Sequence, residues 1–157
     1  MSLNITDRNQ VIESGQPKFL TYAERITHNR ADAEDAVQTA WLKVLFYPKP
    51  LETGTDVICL MYVATRHAAY SIHRRWGSRT TVLPDVLPGR RPDFDSTLDC
   101  KSLLKLLDAR SRRVMILRHI VGLTDREVAD VLGLQPGYIG VIAFRARRRL
   151  QSVEAAH

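Results

Sequence analysis

The segment LDARSRRVMILRHIVGLTDREVADVLGLQPGYIGVIAFRARRRL, residues 107–150, contains three amphipathic helical patterns separated by glycines. The first pattern begins at Ser111 and ends at Gly122. Its apolar residues at helical spacing are Val114, Leu117 and Val121. Because the apolar residues recur every three or four positions, the segment predicts helices and no strands.

The second pattern opens at Thr124, in the sequence Thr-Asp-Arg-Glu. This is a capping box, in which the threonine hydroxyl and the Glu127 carboxylate each accept a free backbone N–H of the first turn. The predicted inward residues are Val128, Ala129 and Leu132. Gly133 follows in the position that favours a left-handed backbone at a helix end.

The third pattern begins at Pro136, a residue that is favoured at the first position of a helix. Its inward stripe consists of Ile139, Ala143, Ala146 and Leu150. A short helix, a tight turn and a longer helix with a basic end are typical of a helix-turn-helix, whose second helix lies in the DNA major groove. A plain three-helix bundle is the alternative, because helical patterns by themselves report only packing.

The charge of the carboxy-terminal part favours the DNA-binding interpretation. Residues 100–157 contain eleven Lys or Arg and five Asp or Glu, so they carry +6, which equals the net charge of the whole chain. Four of these cations cluster at the end of the third pattern: Arg145, Arg147, Arg148 and Arg149. Such a cluster is expected of a phosphate-binding surface, although membranes and acidic proteins also attract cations.

Composition excludes several other classes. The cysteines Cys59 and Cys100 lie within helical patterns and show no spacing of a zinc site, so we expect buried thiols, no metal and no cofactor. Because there is no apolar run of about 20 residues, we expect a cytoplasmic protein without a membrane span. No catalytic residues are predicted, because the chain lacks a glycine-rich phosphate loop or a nucleophile elbow, and the acids at 32–35 suit a helix start.

The amino-terminal half predicts three further helices. Residues 1–15 are polar, and we expect them to be frayed, with a first helix beginning at Pro17. Asp32 is the predicted cap of a second helix, whose inward stripe is Val37, Ala40, Trp41, Val44 and Leu45. A third helix is predicted from Val57 to about Trp76, capped by Thr55 or Asp56, with Leu60, Val63 and Ala64 inward.

Residues 77–97 contain prolines, glycines and mixed charges with no lasting period, which indicates a linker. Beyond it, Ser96 or Thr97 begins a short helix that completes the second bundle with Leu103, Leu104 and Leu107. The predicted fold is therefore all-α. Two small helical domains, residues 1–76 and 98–157, are joined by this linker, and the second is a helix-turn-helix.

With both halves described, the chain resembles the extracytoplasmic-function (group four) sigma factors of bacterial RNA polymerase, in the sigma-70 family. ADAEDAVQTAWLKV is similar to that family's second-region helix, and ICLMYVATRHAAYSIHRR follows at the spacing of the next conserved segment. LRHIVGLTDREVADVLGL and PGYIGVIAFRARRRL resemble the fourth region, so the resemblance covers residues 17–150.

The resemblance implies a promoter-recognition subunit without catalytic activity, whose partners are core RNA polymerase and promoter DNA. An anti-sigma factor or an activator is a further partner that it allows. The residues expected to bind the clamp helices of the polymerase are Asp35, Gln38, Thr39 and Leu42. Those expected to hold the melted minus-ten strand are Arg66, His67, Tyr70, His73, Arg74, Arg75 and Trp76. Those expected at the minus-thirty-five element are Gln135, Tyr138, Val141, Ile142, Arg145, Arg148 and Arg149, next to a surface that meets the polymerase flap.

The chain departs from the family pattern at both DNA-binding helices. In the third helix, Cys59, Arg66 and Tyr70 replace the usual tryptophan, asparagine and aspartate. In the recognition helix, residues 140–142 read Gly-Val-Ile where the family has lysine, serine and arginine, and such residues cannot donate bidentate hydrogen bonds to guanine. Two alternatives follow: Val141, Ile142 and Phe144 contact thymine methyl groups, with Tyr138 and Arg145 as polar contacts, or this apolar surface binds a protein.

Two other functions remain open at the sequence level. GLTDREVADVLGL also resembles the helix-turn-helix of LuxR-type activators, so a stand-alone regulator is one alternative. That interpretation leaves DAEDAVQTAW unexplained and requires a receiver or ligand-binding domain that the amino-terminal half does not indicate. A sigma-like protein that needs a partner to read promoters is the other alternative.

Overall fold

The computed structural model describes residues 1–77 and 102–156. The chain divides into two compact units, Met1–Leu83 and Pro84–His157, and the described residues contain helices and no strands, as the sequence predicts. The linker between them and the helix start at Ser96 or Thr97 lie outside the described residues apart from Gly77, as does Cys100. The predicted domain limits therefore stay predictions.

Within residues 1–77, the described part of the first unit, three helices pack against one another: α1 (Ile5–Thr27), α2 (Arg30–Leu45) and α3 (Gly54–Gly77). Tyr62 of α3 lies edge-on to Phe19 and to Tyr22 of α1, with ring centroids 4.9 and 5.4 Å apart. The largest fully buried apolar side chains around this aromatic cluster are Ile12, Phe19, Val37, Val44, Val57 and Met61. The core of the first unit is thus shared by all three helices.

The prediction that residues 1–15 are frayed is wrong. Asn4 caps α1 by accepting a hydrogen bond from the backbone N–H of Asp7 (2.8 Å), and Ile12 is fully buried. Pro17 lies inside the helix on its exposed side, where its missing N–H removes a single helical hydrogen bond. The inward face of this segment includes Arg8, which is 8% exposed. Because this buried face contains a charged residue, the polar composition of the segment does not indicate that it is buried.

The helix starts in this unit also differ from the prediction. Asn29, and not Asp32, caps α2 by accepting from the Asp32 N–H (3.1 Å). At α3, Thr53 accepts from the Asp56 N–H (3.2 Å) and Asp56 accepts from the Thr53 N–H (3.1 Å). This reciprocal pair starts α3 at Gly54, because either side chain satisfies a donor that a helix leaves free.

The inward residues that the sequence predicts for α2 and α3 are only partly confirmed by their burial. In α2, Val37, Ala40 and Val44 are buried as predicted, whereas Trp41 and Leu45 are half-buried. The indole N–H of Trp41 donates to the side chain of Asn9 (2.9 Å), which explains how its polar atom is satisfied near the surface. In α3, Ala64 is buried, Leu60 and Val63 are half-buried, and the deeper positions are Val57, Met61, Thr65 and Ala69.

The second unit contains α4 (Ala109–Met115), which continues as a π-helical segment (Ile116–Val121), α5 (Asp125–Leu132) and α6 (Pro136–Ala155). Asp108 caps α4 by accepting from the Ser111 N–H (3.3 Å), so this helix begins before the predicted start at Ser111. The buried apolar residues of the second unit are Leu107, Val114, Leu117, Val121, Leu123, Val128, Ala129, Ile139, Ile142, Ala143 and Ala146. The predicted stripes of the three patterns lie in this core except for Leu132 and Leu150, which are half-buried.

Arg112 attaches the start of the second unit to α4. Its guanidinium donates to the carbonyl oxygens of Leu104 (2.9 Å) and Leu107 (3.0 Å). Residues 102–104 are helical and Leu107 is buried, whereas Leu103 and Leu104 are half-buried. The short segment that the sequence predicts to complete this bundle is therefore held by a cation as well as by apolar packing.

Candidate nucleic-acid interface

The turn of the helix-turn-helix is built as the sequence predicts. Thr124 donates its backbone N–H to the Glu127 carboxylate (2.8 Å) and accepts the Glu127 N–H on its hydroxyl (3.2 Å), which confirms the capping box. Gly133 has φ 66°, in the left-handed region that favours glycine, and ends α5. Because α6 begins at Pro136, three residues after that glycine, the turn is tight.

Two side-chain contacts join the π-helical segment to the helices that follow it. Arg118 forms a salt bridge with Asp125 at the start of α5 (Nε–Oδ1 3.1 Å), and Arg147 of α6 lies 3.4 Å from the His119 ring (Nη2–Nε2). Burial lowers the pKa of His119, and the neighbouring Arg147 and Arg118 cations lower it further. The ring is thereby favoured in its neutral form, in which Nε2 can accept the Arg147 hydrogen bond.

The outward face of α6 is apolar near its start and basic beyond. Tyr138, Val141 and Phe144 are 42%, 40% and 60% exposed. The Arg148 guanidinium lies over the Phe144 ring at 5.9 Å from its centroid, within cation–π range. The remaining predicted contact residues on this helix and before it, Gln135, Arg145 and Arg149, are exposed.

The prediction that Ile142 faces DNA is wrong. Ile142 is only 6% exposed and lies in the core of the second unit with Ile139 and Ala143. Gly140 also does not belong to the outward face, because a Cβ built on it would lie 4.0 Å from the Asp125 carboxylate. Consecutive helical residues differ by about 100° in direction, so residues 140–142 cannot share one surface, and Val141 alone of the three is exposed.

The carboxy-terminal part of α3 gathers the predicted single-strand contacts over about 15 Å of helix. The Arg66 guanidinium lies 4.9 Å from the centroid of the Tyr70 ring, and the Arg74 side chain donates to the Tyr70 carbonyl (3.4 Å). His73, Arg74 and Arg75 are exposed, while Arg66, His67 and Tyr70 are half-buried. The side chain of Trp76 lies outside the described residues.

Arg66 also acts on the buried Tyr22. Burial raises the pKa of the Tyr22 phenol far above its ordinary value, and the nearby Arg66 cation opposes this shift. Arg66 and Tyr70 form a half-buried cationic and aromatic pair, whereas His73, Arg74 and Arg75 form an exposed charged end.

The predicted polymerase-binding residues lie on the outward face of α2. Asp35, Gln38 and Leu42 are exposed, with Leu42 at 60%, and Thr39 is half-buried. Phe46, one turn beyond Leu42, is 70% exposed and extends this face. Sequence reasoning missed Phe46, although its spacing of four residues from Leu42 was a signal that could have identified it.

A cavity of about 560 Å³ opens beside Phe46, between the start of α1 and the end of α2. Ile5, which is 54% exposed, lines it together with Arg8 and Leu45. Ile5 was missed because its segment was expected to be frayed. The apolar surface of the first unit thus continues from Leu42 through Phe46 to the start of α1.

No helix among the described residues is long and apolar enough to cross a membrane. Within the same residues, no group of three or more His, Cys, Asp or Glu side chains is placed to hold a metal ion. Cys59 is a buried cysteine of α3.

The chain is similar in sequence to known proteins along most of its length. Residues 103–152 match the family described as "Sigma-70, region 4". Over 92% of its length, the chain is 26% identical to "ECF RNA polymerase sigma factor SigD" of Mycobacterium tuberculosis, of which it covers 77%. It is 28% identical to "ECF RNA polymerase sigma factor ShbA" of Streptomyces griseus, with 76% of this chain and 70% of that protein aligned.

The segment that holds the helix-turn-helix is therefore a sigma-70 region 4 domain. The similarity to the relatives extends through α2 and α3 as well, so the chain resembles extracytoplasmic-function sigma factors of RNA polymerase along most of its length.

Proposed function

We propose that this chain is a sigma factor that docks on core RNA polymerase through the outward face of α2, holds the melted minus-ten strand with the end of α3, and binds the minus-thirty-five duplex with α6. The observation that carries the proposal is the outward face of α6, a helix of the region 4 domain whose described part carries exposed cations and no carboxylate. In this proposal one surface binds the polymerase and the other two bind promoter DNA.

The α2 face has the character of a protein interface. It combines two hydrogen-bonding side chains, Asp35 and Gln38, with exposed apolar side chains at Leu42 and Phe46. Protein interfaces typically have an apolar centre with a polar rim. We propose that Leu42 and Phe46 form that centre against the clamp helices of the polymerase, and that Asp35, Gln38 and Thr39 form the rim.

The end of α3 suits single-stranded DNA. An unpaired strand requires cations for its phosphates and flat groups for its unstacked bases. Arg74 and Arg75 offer exposed charge, and Tyr70, whose ring lies under the Arg66 guanidinium, offers a flat group beside it. His67, His73 and Trp76 belong to the same proposed site.

Because this site prefers unpaired bases, binding shifts the equilibrium of the promoter toward the melted form. A ligand that binds two states unequally shifts their populations by its difference in affinity. The proposed role therefore requires no bond chemistry from this chain, which acts as a non-catalytic subunit where RNA polymerase acts, in the cytoplasm. Sigma factors as a class are non-catalytic subunits.

The α6 surface supplies affinity for duplex phosphate. Arg145, Arg148 and Arg149 are exposed on it, and Gln135 and Tyr138 lie at its start. Cations that neutralise phosphates release condensed counterions, which makes the binding strong and sensitive to salt. We propose that these residues position α6 in the major groove at the minus-thirty-five element.

The test is a pull-down of purified core polymerase with the full chain, followed by runoff transcription from genomic fragments. The proposal expects a stable complex and defined start sites that core polymerase alone does not produce. Core binding without promoter-specific transcripts would favour a sigma-like protein that needs a partner. Absence of core binding would contradict the proposal and favour a stand-alone regulator.

A further inference from the structure

The outward face of α6 presents two apolar side chains at the point where a recognition helix meets base edges. Val141 and Phe144 are 40% and 60% exposed, and they lie between Tyr138 and Arg145 along the helix. Residues near the start of a recognition helix are those that contact bases. An apolar side chain there cannot form a hydrogen bond, so what it can recognise is an apolar group on a base.

We propose that α6 selects thymine at successive positions of its duplex site, because Val141 and Phe144 contact the 5-methyl groups of thymine. This inference rests on the proposed role of α6 at the minus-thirty-five element and specifies what that helix reads. The thymine methyl is the apolar group that the major groove displays, and it distinguishes A·T pairs from G·C pairs.

The spacing of the two side chains fits neighbouring base pairs. Phe144 lies three positions after Val141, which corresponds to a rise of about 4.5 Å along α6. Successive bases of one strand are about 3.4 Å apart along the duplex. Two adjacent thymines on one strand would therefore lie within reach of these two side chains.

Donors that would favour guanine are absent from this part of the helix. Guanine is read by bidentate contacts from arginine or lysine. Between Tyr138 and Arg145, Gly140 faces Asp125 and Ile142 is buried, so no described side chain on this stretch can donate to a base. Arg148, which lies over the Phe144 ring, is placed beside the apolar pair and suits the adjacent phosphate.

The charge around the apolar pair favours DNA over a protein as its occupant. The four arginines at 145 and 147–149 are exposed, and the sequence of α6 contains no acidic residue before Glu154. A partner must therefore combine dense negative charge with small apolar groups. Duplex DNA rich in thymine has both, in its phosphates and its methyl groups.

The experiment uses polymerase reconstituted with the full chain and a duplex obtained by selection from a random library. Each selected thymine in the α6 site is replaced with deoxyuridine, which removes the methyl group and preserves every hydrogen bond. We expect affinity to fall about fourfold for each contacted methyl, as the burial of one carbon predicts. Deoxyuridine outside the recognised elements should have no effect.

Two variants assign the effect to the proposed residues. Val141→Ala and Phe144→Ala should each abolish the response to deoxyuridine at one position, since neither retains the side chain that contacts the methyl group. Leu106→Ala is the matched control, because Leu106 is a comparably exposed apolar residue (42%) outside α6, and it should keep the full response.

Equal affinity for thymine and deoxyuridine would overturn the inference, and so would selection of guanine at these positions. In either case promoter-specific transcription would persist, so the proposed function would stand. If no duplex were enriched, the inference would also be overturned, and the apolar pair would be assigned to a protein partner. The core pull-down would then report separately on the proposed function.

Discussion

The guanidinium of Arg8 lies 3.2 Å from the carbonyl oxygen of Val44, joining the first turn of α1 to the last turn of α2. The same nitrogen donates to Leu45 (3.3 Å) and Tyr47 (3.0 Å). The last carbonyls of a helix have no partner within it, and a cation there also complements the helix dipole. Arg8 therefore ends α2 and fixes the segment that carries Phe46.

Replacing Arg8 with alanine should destabilise the first unit by about 2–3 kcal/mol, because buried carbonyls would lose charged donors. Urea denaturation of the full chain, followed by far-ultraviolet circular dichroism, measures this change. Lys18→Ala is the matched control, since Lys18 is an exposed cation of the same helix and should change stability by less than about 0.5 kcal/mol. Equal midpoints for the two variants would contradict the role of Arg8.

This contact also shows what the sequence could not reveal. Helical periodicity identifies buried stripes by their apolar residues, so a stripe that contains Arg8 is read as surface. Besides the nearby Leu3 carbonyl, Arg8 donates to the carbonyls of Val44, Leu45 and Tyr47, and no local pattern encodes that distant pairing. Caps that depend on adjacent residues, such as Thr124 with Glu127, are local and were predicted correctly.

The proposed docking face can be tested apart from the DNA-binding surfaces. Leu42→Ala together with Phe46→Ala should weaken binding to core polymerase by about tenfold or more, because exposed apolar residues at an interface centre contribute most of its affinity. Asp35→Ala with Gln38→Ala should weaken it less. Fluorescence anisotropy of the labelled chain, titrated with core polymerase, measures both.

Lys18→Ala serves as the surface control for these variants, and circular dichroism verifies that each pair of substitutions leaves the helices folded. Unchanged affinity in the Leu42 and Phe46 double variant would place the polymerase on another surface. Loss of affinity in the polar pair alone would indicate a docking face centred on hydrogen bonds.

The exposed end of α3 should affect promoter melting. Arg74→Ala with Arg75→Ala is expected to lower the yield of open complex and to spare core binding. The affinity of this variant for promoter DNA should also depend less on salt. If both arginines contact single-strand phosphates, the slope of log affinity against log salt concentration should become shallower by about 1.4. Permanganate reactivity of unpaired thymines reports the melted fraction.

Arg74→Lys with Arg75→Lys is the matched control, because it keeps both charges, and it should retain most of the melting activity. Melting that is unaffected by the alanine pair would remove these residues from the proposed site. An equal loss in the lysine pair would show that the guanidinium geometry, and not charge alone, is required.

The face that α6 presents was predicted with one error, and its cause is geometric. The spacing predicts an inward stripe of Ile139, Ala143, Ala146 and Leu150. The structure buries the first three and leaves Leu150 half-buried. The family pattern groups residues 140–142 on one surface, whereas Ile142 lies next to Ala143 in the core. Whether a residue at the border of a stripe is buried depends on how α5 and the π-helical segment pack against α6. Sequence periodicity does not give that packing.

The second unit should lose stability in mild acid through His119. Burial, Arg147 and Arg118 all lower the pKa of this ring in the folded state, whereas Asp125 opposes them. Near the unfolded pKa of 6.5 the folded unit thus binds fewer protons than the unfolded chain. Stability therefore stays constant well above that pH and falls as the pH drops through 6.5 toward the folded value.

His119→Gln isolates this contribution, because glutamine does not titrate and its side-chain oxygen can still accept the hydrogen bond from Arg147. Urea midpoints of both proteins, measured from about pH 8 to about pH 5.5, should converge at the high end, with the original chain falling further at the low end. The ring is partly exposed, so the separation should be modest. Parallel curves would show that His119 does not sense pH in the fold, and that its contact with Arg147 adds nothing measurable to the stability of the unit.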